Sequence, residues 1–505
     1  MREWDRMEWK QSKIPEWAIV SFLDKLEEEG ILLHGFGMLE EGKLLAEGYW
    51  APYQADTLHR MYSVGKSFVS LAIGLLQEEG KLALEDFVCQ YFPDKCPKNG
   101  AHRWLEGMTI KQMLTMTTCH SKTTYKQYDG DWVESFFRVE PSNLPGAVFS
   151  YDTSSTHVLS ALVERLSGRK LMEYLRERCF DKIGVSKEAY FLPDPYGVSQ
   201  GGSGLNCTLR DMLAVAELVM NEGVYKGEQL IPAEYIRQAV SCQVSTRHQT
   251  AYDEQFGYGY QIWRGRHDSF YFYGIGGQLA VCLPGEKFIL VTMGNTLENK
   301  NGIKNIFDAF YDKIFPWIKD GSHFSEPKER EVGNCPELDV RLSRLTLTAK
   351  LLKTERTHME AFLQGKFSWI GQRYEFNDNK LGISALRVAC DREEGKGVLY
   401  LEKDRRESKL LFGMDTYLRQ KFPWPEDWTQ WMREYCKETE CCCQGILESE
   451  NELFLRCYIL GPEMANVTIV ISFVAQGITV KMQKGIDNGL KRFEGVASGT
   501  CKCAQ

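Results

Sequence analysis

Residues 59–82 read HRMYSVGKSFVSLAIGLLQEEGKL, with a serine three places before a lysine at the head of an apolar run. Val64, Phe68, Leu71, Leu75 and Leu76 recur at helical spacing, which predicts a helix of about five turns with a buried stripe. Residues three apart share a helix face, so the Lys66 amine can reach the Ser63 hydroxyl. A helix N-terminus adds unpaired N–H groups and positive potential, which favour an alkoxide or oxyanion. A lysine shielded from water there loses its proton readily and can act as a base. A plainer reading stands beside this one: Ser63 caps the helix and Lys66 is solvated.

The S-x-x-K pattern occurs three times, and context separates the copies. Ser325/Lys328 encloses Pro327 in a polar stretch, which opposes helix. Ser167/Lys170 encloses Gly168, which reads as a helix stop. Only Ser63 opens a long apolar-periodic helix.

Around this stretch the chain alternates recognisably. Residues 15–29 read as an amphipathic helix between Pro15 and Gly30, and ILLHGFGMLEEGKLLAEGYW as a hairpin turning at Glu41–Gly42. Helices are expected at 155–167 and 208–222. Strands return at 256–295 in FGYGYQIW, SFYFYGIGGQLAVCLP and KFILVTMGN, and a last amphipathic helix follows, IKNIFDAFYDKIFPWI. Strands at both ends with helices between predict one sheet whose first and last strands meet. We expect a first domain over 1–320, a polar linker over 321–337, and a separate, mostly β domain over 338–505. The last contains two clear hairpins, one of them turning at Gln476–Gly477.

The 505 residues are 43% apolar and 26% charged with a net charge of −8, ample for a core and unsuited to nucleic acid or an anionic membrane surface. The charged start, MREWDRMEWKQSKIPEW, lacks the apolar core of a signal peptide, and no apolar run is long enough to span a membrane. The sixteen cysteines are scattered, which fits reduced thiols and a cytoplasmic setting.

Three further segments bear on Ser63. LPGAVFSYDTSSTHVLSALVERLSG leads through a Pro-Gly turn to Tyr151 just before a helix; GGSGLNCTLRDMLAVAELVMNEGVYKGEQLIP and YGIGGQLAVCLPGEKFILVTMGN follow. With IKQMLTMTT at 110–118, and in this order, they resemble the serine β-lactamase and penicillin-binding protein superfamily over about residues 30–315. The likeness is greatest to its class C-like branch of esterases, peptidases and nylon-oligomer hydrolases. The resemblance implies an α/β (α+β) catalytic domain, an antiparallel sheet flanked by helices with a helical insertion. It implies Ser63 as nucleophile, Lys66 as base and Tyr151 as a proton carrier. The oxyanion hole would pair the N–H groups of Ser63 and Gln278. The third motif is Ile275-Gly276-Gly277, and Thr153 and these three residues would face substrate, with Tyr258 and Tyr260 as further cleft candidates.

Two departures from the family pattern matter. Thr153 stands where the β-lactamases carry Asn, and Ile275 where they carry Lys or His. A cation for a substrate carboxylate is therefore missing, which argues against β-lactams and D-Ala-D-Ala and leaves small esters, amides or peptide-like molecules as substrates. The rival readings are a β-lactamase, DD-peptidase or D-aminopeptidase, and a catalytically weak binding protein.

Other motifs carry less. GVSQG around Ser199 matches a nucleophile elbow but lacks a strand before it and a helix after it. Cys441–Cys443, near Cys436, cannot easily converge on a metal and read as a partly exposed thiol run, as do Cys501 and Cys503. His157 reads as a structural histidine. No metal or cofactor is expected.

Overall fold

The computed structural model describes residues 2–320, 336–347 and 356–501, apart from 415, 476 and 486–489. Most of the expected linker, the Ser325/Lys328 pair, Cys503 and Gln476 of the second hairpin turn therefore lie outside the described residues. The chain forms two compact units, Met1–Leu345 and Thr346–Gln505.

In the first unit, α1 (Glu16–Glu28) leads into the hairpin β1 (Leu33–Glu40) and β2 (Lys43–Tyr49). Then come β3 (His59–Tyr62), α2 (Gly65–Glu78), α3 (Thr153–Ser167), β4 (Tyr190–Phe191), β5 (Leu205–Cys207) and α4 (Leu209–Met220). The sheet resumes with β6 (Trp263–Arg264), β7 (Phe270–Gly274), β8 (Gln278–Leu283) and β9 (Phe288–Gly294), followed by α5 (Gly302–Lys313) and α6 (Pro336–Ser343). The main sheet is antiparallel in the order β2-β1-β9-β8-β7-β6, so the first hairpin and the last strand meet as expected. Glu41 and Gly42 turn the hairpin with φ of 50° and 75°, the left-handed pair that matches strand twist.

The sheet is covered on both faces, and β1 is buried throughout. Phe36 packs on Phe22 of α1, whereas Gly37 lies under Leu209 and Leu213 of α4. Beyond α4 lies the helical body, whose centre is α2. This helix is buried on every side from Gly65 to Leu76, not along one stripe. It runs 14 residues, a turn short of expectation, because Glu79 and Gly80 close it on the carbonyls of Leu75 and Gln77. Phe256–Ile262, expected as strand, is mostly irregular. Tyr258 exchanges its backbone hydrogen bonds with Val244 in a loop, and only Trp263–Arg264 pairs with β7.

Helix α6 packs on α1 and β2, where Arg341 pairs with Asp24 and Glu27. It therefore sits with the first unit, although the sequence reading groups most of it with residues 338–505. The second unit is a β barrel. Ten strands follow one another round the sheet, from Arg373–Phe376 to Gly495–Cys501, which pair and close one side. Arg406–Met414 also pairs parallel with Glu440–Ser449 and closes the other. Cys441, Cys442 and Cys443 are 0%, 3% and 0% exposed, so the expected partly exposed thiol run is a buried strand of this barrel. Among the described residues no helix is long and apolar enough to cross a membrane.

A buried histidine pair ties β1 to β3. His34 Nδ1 lies 2.7 Å from His59 Nε2, and His59 Nδ1 lies 2.9 Å from the Arg60 carbonyl. The carbonyl only accepts, so His59 carries its proton on Nδ1 and receives one from His34 on Nε2. Both of these bonds form with the two rings neutral. Burial pushes His59 down to about 4 and His34 well below its ordinary value. The unfolded chain therefore binds more protons than the folded one below pH 6.5, and stability falls as pH falls from there toward 4. We predict a loss of up to about 1.4 kcal/mol per pH unit per histidine, read from urea midpoints between pH 7 and 5. His34→Phe should flatten the slope, and a flat wild-type profile would contradict the assignment.

Candidate active site

Strand β3 delivers Ser63 to the head of α2. The last residue of β3, Tyr62, takes φ of 47°, a left-handed conformation that costs an aromatic residue roughly 1–3 kcal/mol. That turn leaves Ser63 half-buried, with Val64 at the N-cap position. The Ser63 hydroxyl is engaged instead by Lys66, whose Nζ also lies 5.0 Å from the centre of the Tyr151 ring. Lys66 is 1% exposed, so the plainer reading of a cap and a solvated lysine fails.

Lys66 Nζ lies 2.9 Å from Ser63 Oγ and donates to the Gly202 carbonyl at 2.6 Å. Burial pushes the amine down to about 7, against the opposing pull of the Asp152 carboxylate. A neutral amine that gives one hydrogen to Gly202 keeps its lone pair for Ser63. Gly202 belongs to the GGSG run, quoted above without a role. A Cβ there would sit 2.5 Å from the Thr153 methyl and 3.6 Å from Lys66 Nζ. Only glycine lets this carbonyl approach.

Tyr151 and Thr153 flank Asp152, the cap of α3. Asp152 Oδ1 accepts from the Ser154 N–H and hydroxyl at 2.9 and 2.5 Å, and Oδ2 from the Ser155 N–H at 3.0 Å. Burial still pushes this carboxyl up to about 6. Fixing the helix start fixes Tyr151, whose ring stacks on Trp263 with centroids 5.8 Å apart and meets the edge of Tyr258. The Tyr151 phenol is pushed well up by burial, so it holds its proton until a base takes it.

The third segment arrives on β7. A Cβ on Gly274 would stand 2.2 Å from the Met61 carbonyl, two residues before Ser63. The turn Ile275–Gly277 follows, its two glycines at φ of 85° and 94°. Gln278 is fully buried, and its side chain braces this turn. Its Nε2 donates to the Ile275 and Gly294 carbonyls at 2.8 and 3.0 Å, and its Oε1 accepts from the Gly294 N–H at 3.0 Å. Ile275 is 45% exposed.

The remaining candidates fall outside this cluster. Tyr258 and Tyr260 are 1% and 0% exposed and offer no surface to a substrate; Tyr258 supports Tyr151, and Tyr260 packs on Tyr235. Ser199 is buried in a loop, where its carbonyl accepts from Ser160. His157 pairs with Asp194 at 2.9 Å, both buried. Among the described residues no group of three or more His, Cys, Asp and Glu side chains is placed to hold a metal. The sequence reading assigned no part to Asp152, Gly202 or Trp263. The GGSG run and the Asp before the α3 helix were the available signals.

The chain is similar to known proteins. The β-lactamase family profile matches residues 27–309, more than half the chain. The 6-aminohexanoate-dimer hydrolase of Paenarthrobacter ureafaciens is 24% identical over 246 residues, 44% of this chain and 62% of that protein. The chain thus matches less than two thirds of that relative's length. A family VIII carboxylesterase structure covers 62% of this chain and 99% of its own at 16% identity and a TM-score of 0.50. A penicillin-binding protein homologue from Caulobacter crescentus covers 59% and 98% at 16% identity, with a TM-score of 0.48.

The buried amine makes a stability prediction. Lys66 binds a proton in the unfolded chain up to about pH 10.5 but in the folded one only up to about 7. Folding stability therefore rises with pH across that window. Lys66→Met should stabilise the protein at pH 7 by on the order of 2 kcal/mol, and the gap should close by pH 10. Equal or lower stability of the variant at pH 7 would contradict the amine's burial. The chain belongs to the β-lactamase family, a family of serine hydrolases.

Proposed function

We propose that the protein is a serine hydrolase that cleaves a small ester or amide through an acyl-enzyme on Ser63. The observation that carries this reading is the dry Lys66 amine, 2.9 Å from Ser63 Oγ and pushed down to about 7. Lys66 takes the Ser63 proton as the oxygen attacks the carbonyl carbon. The negative charge that develops on the carbonyl oxygen is held by the N–H groups of Ser63 and Gln278. Tyr151, beside Lys66, passes the proton on to the leaving alkoxide or amine. Water then attacks the ester formed on Ser63, gives up its proton to the same pair, and releases the acid. Thr153, Gly276 and Gly277 bound the space where substrate lies.

Ile275 decides between branches of the family. An exposed isoleucine at the motif position offers no charge to a substrate carboxylate, which disfavours β-lactams and D-Ala-D-Ala peptides. An ester or amide that carries no carboxylate needs no such cation.

The test is kinetic. Hydrolysis of 4-nitrophenyl hexanoate should rise with pH to a plateau, with an inflection near 7 set by Lys66. Ser63→Ala should lower kcat/KM by at least about a thousandfold, with the variant still folded. Retention of activity in Ser63→Ala would overturn the assignment.

A further inference from the structure

Gln261 lies two residues before Trp263, the ring that stacks on Tyr151, and is 2% exposed. It takes φ of 59°, a left-handed conformation that a residue with a side chain adopts where its surroundings hold it there. What holds it is a set of hydrogen bonds that engages every polar group it has. Its backbone N–H donates to the Leu114 carbonyl at 3.0 Å, and its Nε2 donates to the Met113 and Leu114 carbonyls, each at 3.0 Å. Its Oε1 accepts from the Thr156 hydroxyl at 2.6 Å, and its backbone carbonyl accepts from the Ser67 hydroxyl at 2.8 Å.

Each arm ends beside a reacting group. Ser67 follows Lys66 in α2. Thr156 lies on α3 one turn after the cap, Asp152, which adjoins Tyr151. Met113 and Leu114 close the short helix Ile110–Leu114 and lead to Met116. Met116 accepts from the backbone on both sides of Tyr151: its carbonyl from the Ser150 N–H at 2.8 Å, and its sulfur from the Asp152 N–H at 3.4 Å. One residue therefore joins the helix of Lys66, the helix start that fixes Tyr151 and the segment bonded to both neighbours of Tyr151.

Holding helices together does not by itself call for glutamine. A buried amide is costly unless its groups are bonded, and a leucine would fill the space without needing partners. A fully bonded buried network instead fixes one arrangement, because any shift breaks several bonds at once. The arrangement to be fixed here is that of Lys66 and Tyr151, whose amine and ring centre are 5.0 Å apart. We propose that Gln261 is a positioning residue for the reaction, which sets that spacing and keeps water from the Lys66 amine by tying Ser67, Thr156 and Leu114 into one unit. Its part in turnover rests on the Ser63 reading; its effect on the amine does not.

Two measurements on Gln261→Leu test it, with the urea midpoint recorded beside them. In hydrolysis of 4-nitrophenyl hexanoate, kcat should fall by roughly ten- to a hundredfold with KM within about twofold, since Gln261 touches the machinery and not the substrate. The pH inflection should move up from about 7, because water admitted at Lys66 favours the charged amine. The titratable groups that face this amine, Asp152 and Tyr151, are unchanged in the variant. Thr156→Val should act in the same direction and add little to Gln261→Leu, whereas Thr156→Ser, which keeps the hydroxyl, should lose less. The second measurement is an NMR titration of isotope-labelled lysine side chains, which needs no turnover. Lys66 should titrate near 7 in the wild type and higher in Gln261→Leu. A lowered urea midpoint with kcat and both titrations unmoved would leave Gln261 a structural residue and overturn the proposal. Undiminished hydrolysis by Ser63→Ala, with the Lys66 titration still displaced in Gln261→Leu, would instead count against the Ser63 reading and leave the hold of Gln261 on the amine supported.

Discussion

One buried amine organises the first unit. Lowering the Lys66 proton affinity from 10.5 to about 7 corresponds to roughly 5 kcal/mol against the charged form. Each ionic neighbour would spoil that balance if moved. Asp152 stands close enough to pull the amine back up, yet three helix-start groups and burial hold it to its capping role. The Gly202 carbonyl accepts a hydrogen without adding charge. The result is an amine that loses its proton near pH 7 and is aimed at one hydroxyl. A fold selected for stability alone would place a methionine or leucine there.

The rest of the unit brings three distant segments to that amine. β3 and a strained Tyr62 present Ser63, the cap of α3 fixes Tyr151, and β7 brings Gly274 against Met61. The sheet makes this contact possible because β1 pairs with β9. That pairing closes the chain on itself and leaves the helical body on one face. Close backbone approach at Gly202 and Gly274 then sets distances that side chains larger than hydrogen would break. The aromatic rings of Trp263, Tyr151 and Tyr273 continue from the same site.

Much of this was legible in the sequence. The helix after Ser63, the Glu41–Gly42 hairpin and the meeting of first and last strands follow from periodicity and turn chemistry, which are local signals. Ser63, Lys66 and Tyr151 could be named because three residue types recur in a known order. What could not be read depends on tertiary packing. Tyr258 and Tyr260 alternate like strand residues, but their backbone bonds go to a loop and their rings to the core. The Cys441–Cys443 run read as partly exposed thiols, but strand pairing turns it into the barrel wall. Gly202 carried no signal beyond being glycine, because its importance lies in which amine its carbonyl meets. Helix α6 groups with the first unit through Arg341 and the small residue Gly48, contacts separated by some three hundred positions in the chain.

The most direct measurement is covalent labelling with a fluorophosphonate, the modified residue being found by peptide mass spectrometry. The account predicts a single adduct on Ser63, formed at a rate that rises through pH 7 and is lost in Lys66→Ala. No adduct, or an adduct on Ser199 instead, would contradict the claim that the buried Lys66 amine activates Ser63.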